Sequence, residues 1–155
     1  MKKKIIILTC ILLSILVIVI YCYNNDYYTF KGHEFRVPRP DNTKTIIYHG
    51  GIDQTAFQIM EYNSKDIKKI IRQGFKKINL EEINEIYKKT IEESIFRWYL
   101  NEDEKQIFLK NFDKEKLFNT NNYYLFYEDT EEPVYEFMLF IVDMKENKLY
   151  YIISA

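Results

Sequence analysis

His49 and Asp53, held apart by Gly50-Gly51-Ile52, are the one local pairing through which this chain could bind a ligand or move a proton, with His33 and Glu34 as distant partners. An imidazole beside a carboxylate suits proton transfer, but a divalent metal wants three or four converging ligands. Two histidines sixteen residues apart in loops match no recognised ligand spacing. No metal and no cofactor are therefore expected. His49 and Asp53 stand as speculative binding residues, and Gly50 and Gly51 as structural turn residues whose positive φ joins two strands. Ser64 falls at a helix cap, Ser94 on a helix stripe and Ser154 near the chain end, so none sits in a nucleophile elbow. The glycines at 32, 50, 51 and 74 form no phosphate-cradling loop. Paired carboxylates are plentiful at Glu81-Glu82, Glu92-Glu93, Glu128-Asp129 and Glu131-Glu132. Acid–base hydrolysis needs two of them facing across a cleft at roughly 5 to 10 Å, and the sequence supplies number without geometry.

Where these residues live is decided by the beginning of the chain. Residues 5–23 carry no charge and follow Met1-Lys2-Lys3-Lys4. As a helix that run is roughly 28 Å long, close to the hydrocarbon thickness of a bilayer. Its Ile, Leu and Val content favours insertion by roughly 4 to 6 kcal/mol in total. Ile20-Tyr21-Cys22 lacks the small residues of a signal-peptidase site, so the run reads as an uncleaved signal-anchor. The lysines of residues 1–4 hold the amino end in the cytoplasm, which sends the carboxyl-terminal domain outside. Tyr21, Tyr23, Tyr27 and Tyr28 gather where the helix would leave the lipid and read as an interfacial belt.

Composition narrows the rest. The chain has 155 residues, room for one ordinary domain after the anchor. Of its 22 basic residues three precede the anchor, so the remainder stands at 19 against 23 acidic residues, a net of −4, which argues against nucleic acid as a partner. Both cysteines, Cys10 and Cys22, belong to the apolar run. The downstream domain therefore has no thiol for a disulfide, a zinc site or a nucleophile. The abundance of Ile, Lys, Asn, Tyr and Phe reads as the signature of an AT-rich, bacterial genome rather than as a binding surface.

Residues 24–44 have no sustained period, and Val37-Pro38-Arg39-Pro40 imposes extended backbone, so they read as a stalk or irregular lead-in, with Glu34 to Val37 able to add an edge strand. The domain proper is expected over 45–155. Thr45 to Tyr48 and Ala56 to Tyr62 read as strands about the His49-Gly50-Gly51 turn, with Phe57 and Ile59 on one side. Asn63 or Ser64 caps a short helix ending at Gly74, whose Lys68, Lys69, Arg72 and Lys76 make a solvated basic face. Asn79-Leu80-Glu81-Glu82 opens a longer helix to about Leu100, with Ile83, Ile86, Tyr87, Thr90, Ile91, Ser94 and Trp98 as its buried stripe. A third piece from Asp103 to Asn111 turns Ile107, Phe108 and Phe112 inward. Tyr123 to Tyr127, Val134 to Asp143 and Lys148 to Ser154 then alternate with period two, the last pair forming a hairpin with Asn147 left-handed. The expected class is α+β: strand-strand-helix-helix-strand-strand-strand, a mostly antiparallel sheet with helices packed on one face.

His49-Gly50-Gly51 with Asp53 and Thr55, Asn122-Tyr123-Tyr124-Leu125-Phe126, and Asp143 with Leu149-Tyr150-Tyr151 together resemble a family of small membrane-anchored or secreted bacterial proteins. Its members carry a His-Gly-Gly turn, a Gly-Tyr-Tyr strand and a closing Leu-Tyr-Tyr strand, in that order. The resemblance covers about 45–153 and implies the fold layout but no reaction. Here Asn122 stands where glycine is usual, and Glu128-Asp129 replaces an Asp-Arg pair. The functional expectation is a non-enzymatic, single-pass cell-membrane protein whose extracytoplasmic domain engages a protein or the envelope, as an immunity, stress or adaptor module. The alternative is a membrane-anchored, carboxylate-dependent hydrolase.

Overall fold

The computed structural model describes residues 12–17, 27–29, 36–50, 54–129 and 136–154. They fall into two compact units, Met1–Arg39 and Pro40–Ala155. In the first, residues 12–17 are helical (α1) and expose Leu12, Leu13, Ile15, Leu16 and Val17. The transmembrane expectation for 5–23 lies largely outside the described residues, as do Tyr21 and Tyr23; among the described residues no helix is long and apolar enough to cross a membrane. The first unit also holds a ribbon of β1 (Tyr27–Thr29) and β2 (Arg36–Pro38), antiparallel with Tyr28 opposite Val37. An edge strand here was expected from Glu34 to Val37. Its described part, from Arg36, pairs with β1; Pro38, which has no N–H to donate, suits such a short ribbon.

The second unit is α+β. Its six-stranded sheet runs in the order β3-β4-β8-β7-β6-β5, with every neighbouring pair antiparallel. The strands are β3 (Asn42–His49), β4 (Thr55–Glu61), β5 (Lys76–Lys77), β6 (Tyr123–Asp129), β7 (Glu136–Asp143) and β8 (Lys148–Ser154). The period-two runs put their β-branched and aromatic residues into these ladders as expected. β5 was not expected, because two exposed lysines carry no alternation.

Between the strands come α2 (Ser64–Ile71), α3 (Leu80–Tyr87), a π-helix (Lys88–Tyr99), α4 (Glu102–Asn111) and α5 (Lys114–Leu117). Local chemistry sets where they begin. Asn63 Oδ1 accepts from the N–H groups of Lys65 and Asp66 at 3.0 Å each. Asn79 does the same for Glu81 and Glu82 at 3.0 and 3.3 Å, each such cap contributing about 1 kcal/mol.

One sheet face supplies Phe57, Ile59, Tyr124, Phe137, Leu139, Ile141, Tyr150 and Ile152 to the main core, where they meet Ile83, Tyr87, Ile91, Ile95, Phe108, Phe112 and Leu117 from the helices. Phe108 is central: its ring lies 4.7 Å from Phe57, 5.2 Å from Phe96 and 5.3 Å from Phe112. The expectation of helices on one face describes α3 to α5. Phe75, in the segment after α2, instead meets Phe140 at 6.3 Å, and Phe140 alternates with Leu139 and Ile141 and so points away from that core. Both faces are buried along the central strands, which is why β7 and β8 read as nearly unbroken apolar runs.

The expected helical stripe holds only to Ile91. Beyond Lys88 the backbone bonds i→i+5, as in the 3.2 Å bond from Leu100 N–H to Ile95 C=O, so each turn takes in more residues. The buried series becomes Tyr87, Ile91, Ile95 and Leu100. Trp98, expected inside, is 70% exposed, and Ile107 of α4, also expected inside, is 46% exposed.

Candidate functional site

His49 ends β3, and its Nε2 lies 2.9 Å from Glu104 Oε1 in the first turn of α4. The other oxygen of Glu104 accepts from the Asn101 N–H at 3.0 Å, while Asn101 Oδ1 accepts from the Glu104 N–H at 3.0 Å, a reciprocal capping box. One carboxylate thus both caps a helix and holds the end of an edge strand. At the other end of the same strand, Lys44 Nζ donates to Asn111 Oδ1 at 3.0 Å, so α4 is tied to β3 twice. Sequence reasoning missed Glu104 because it lies 55 residues from His49, with no local spacing to mark the pair.

The expected partner Asp53, with Gly51, His33 and Glu34, lies outside the described residues. Gly50 does not need the positive φ assigned to it: Gly74 alone among the described glycines has one, at 94°. A Cβ on Gly50 would come 3.1 Å from the hydroxyl of the exposed Tyr48, a ring free to move aside. Among the described residues no three His, Cys, Asp or Glu side chains converge to hold a metal.

The register also places the hydroxyl candidates. His49 is opposite Thr55, and Thr55 is opposite Ser154. Two strand spacings therefore separate Ser154 from His49, roughly 10 Å between backbones, beyond nucleophile–base reach. Thr55 and Ser154 are buried, and their hydroxyls make no hydrogen bond.

A second polar group sits at the β7–β8 turn. Asp143 is 1% exposed; its Oδ1 accepts from the N–H groups of Lys145 and Glu146 at 2.9 and 3.1 Å, and its Oδ2 lies 3.3 Å from Lys116 Nζ. Lys116 also pairs with Glu146, which reaches Lys148 at 3.0 Å. Burial works to lower the Lys116 pKa, but hydrogen bonds to Glu146 and Asp143 outweigh it and leave the pKa raised. Those to Lys116 and Lys148 hold the Glu146 carboxyl below its usual range. Buried Asn122 completes the joint, donating to Leu117 C=O at 3.0 Å and accepting from the Met144 N–H at 3.0 Å. The cluster fastens α5 to the hairpin.

Two open clefts bear on the expectation of paired carboxylates. One, of about 90 Å³, is lined by Lys76, Glu82, Ile86, Tyr124, Leu125 and Phe126. Burial, with Glu82 nearby, pushes the Tyr124 phenol well up. The other, of about 240 Å³, lies along the π-helix between Lys89, Glu93, Ser94, Trp98 and Tyr99. Each cleft contains one carboxylate. The basic face of α2 is solvent-exposed as expected, with Lys69 paired to Asp66 at 2.6 Å and Lys76 to Glu82 at 3.8 Å. Comparison with protein families, with curated proteins and with solved structures found no match.

Proposed function

We propose that this chain is a single-pass membrane protein, anchored through residues 5–23 with its amino end in the cytoplasm, whose extracytoplasmic α+β domain is a binding module and not a catalyst. The observation that carries the anchor is α1: Leu12, Leu13, Ile15, Leu16 and Val17 are each more than half exposed, so apolar side chains cover most of the helix and Ser14 alone interrupts them. Water disfavours such a surface and lipid does not. The binding reading is supported by a surface suited to contact, the exposed edge strand β3. The alternative hydrolase would need facing carboxylates, and neither described cleft pairs two.

Membrane fractionation followed by intact-mass measurement tests the anchor. Full-length protein should resist extraction at high pH, retain Met1 to Lys4, and expose its domain to protease only from the outer side. Release into the soluble fraction, or a mass short by roughly twenty residues, would identify the run as a processed signal and overturn the anchor.

A further inference from the structure

Trp98 is the only tryptophan in the chain, and the π-helix turns it outward. Among the described residues its cleft is bordered by Lys89, Glu93, Ser94 and Tyr99, so that Tyr99 alone adds apolar surface to the ring there. An anchor residue for a protein partner sits within a wider apolar contact, and that setting is missing. Arg97 stands 5.0 Å over the ring centroid, which occupies one face and leaves the other. The cations nearby are already engaged: Lys89 pairs with Glu128, and Lys88 lies 3.8 Å from Glu93. Net attraction for a polyanion is therefore weak. At about 240 Å³ the cleft is smaller than the roughly 300 Å³ at which ordinary small-molecule pockets begin, so it fits a single ring.

A flat aromatic face bordered by a carboxylate and a hydroxyl suits a ligand with a C–H face to stack and hydroxyls at its rim. The geometry points to this cleft as a glycan site, in which one uncharged pyranose of a polysaccharide stacks on Trp98 and its hydroxyls bond to Glu93 and Ser94. An extracytoplasmic position, which rests on the reading above, would make the source an envelope or external polysaccharide; the chemistry of the cleft does not depend on it.

Because Trp98 is the sole tryptophan, its emission reports on this cleft directly. Full-length protein in detergent is titrated with N-acetylglucosamine trisaccharide, with cellotriose and with heparin. A saturable emission change with a neutral trisaccharide is expected, weakened about tenfold in Glu93→Gln, which keeps the fluorophore and loses a charge-assisted hydrogen bond. Trp98→Phe, checked for folding by circular dichroism, should no longer be retained on the immobilised sugar. Silence with both neutral sugars, a response to heparin alone, or an unchanged midpoint in Glu93→Gln would each overturn the site. Membrane fractionation reads separately: an anchored protein blind to sugar leaves the anchor standing, and a sugar-binding protein that is not anchored leaves the cleft standing.

Discussion

Gly74 and Gly50 show how unlike two turn glycines can be. Gly74 sits at φ 94° with nothing within 4 Å of a built Cβ, so Gly74→Ala meets backbone strain alone and should cost about 1 kcal/mol. Gly50→Ala should be nearly neutral, since it only displaces the exposed Tyr48 ring; chemical denaturation of the two variants side by side checks the contrast. Asn122 carries the joint between α5 and the β7–β8 turn. Asn122→Ala leaves the Leu117 C=O and the Met144 N–H without their partner and should cost roughly 1 to 3 kcal/mol. His49→Ala gives up one part-exposed bond to Glu104 and should shift the melting point little.

At the scale of elements the π-helix makes the sharpest prediction, because two windings of the same residues bury different side chains. Ile95→Ala should cost about 2 to 5 kcal/mol, whereas Trp98→Ala should fall within about 0.5 kcal/mol of the parent. The reverse ranking would mean that the segment is wound as an ordinary α-helix. The same contrast explains what could be read in the chain and what could not. Asn63, Asn79 and Asn147 announced two helix starts and a left-handed turn through side chains that act on neighbours a few residues away. Strands β4, β6, β7 and β8 showed in their runs of aromatic and β-branched residues. The change of winding after Lys88, the short β5 edge and the His49–Glu104 bond depend on tertiary packing, for which adjacent residues leave no mark. Of the clefts, the sequence shows only the general abundance of aromatic and acidic residues, because helical spacing places Trp98 on the buried stripe.

The whole molecule leans on buried phenols. Burial, reinforced by Glu92, pushes Tyr87 up to about 12, and burial also raises Tyr124 and Tyr150. A raised folded-state pKa stabilises the protein fully below the unfolded value near 10 and is lost as pH rises through the folded one. Thermal stability should therefore fall steeply above about pH 10, on the order of 2 kcal/mol from Tyr87 alone, with tyrosinate absorbance appearing together with unfolding. Free titration of these phenols with the fold intact would contradict their burial. The sheet order has a consequence of another kind. β8 lies at the centre, between β4 and β7, yet follows every other described element in the chain. During synthesis the β3–β4 hairpin emerges early and must wait, with one side of β4 unpaired, for some ninety residues to follow at about 5 to 20 per second. A nascent domain of this design spends several seconds with an open, sticky seam, which makes the interval before its last strand arrives the time at which a chaperone would matter most.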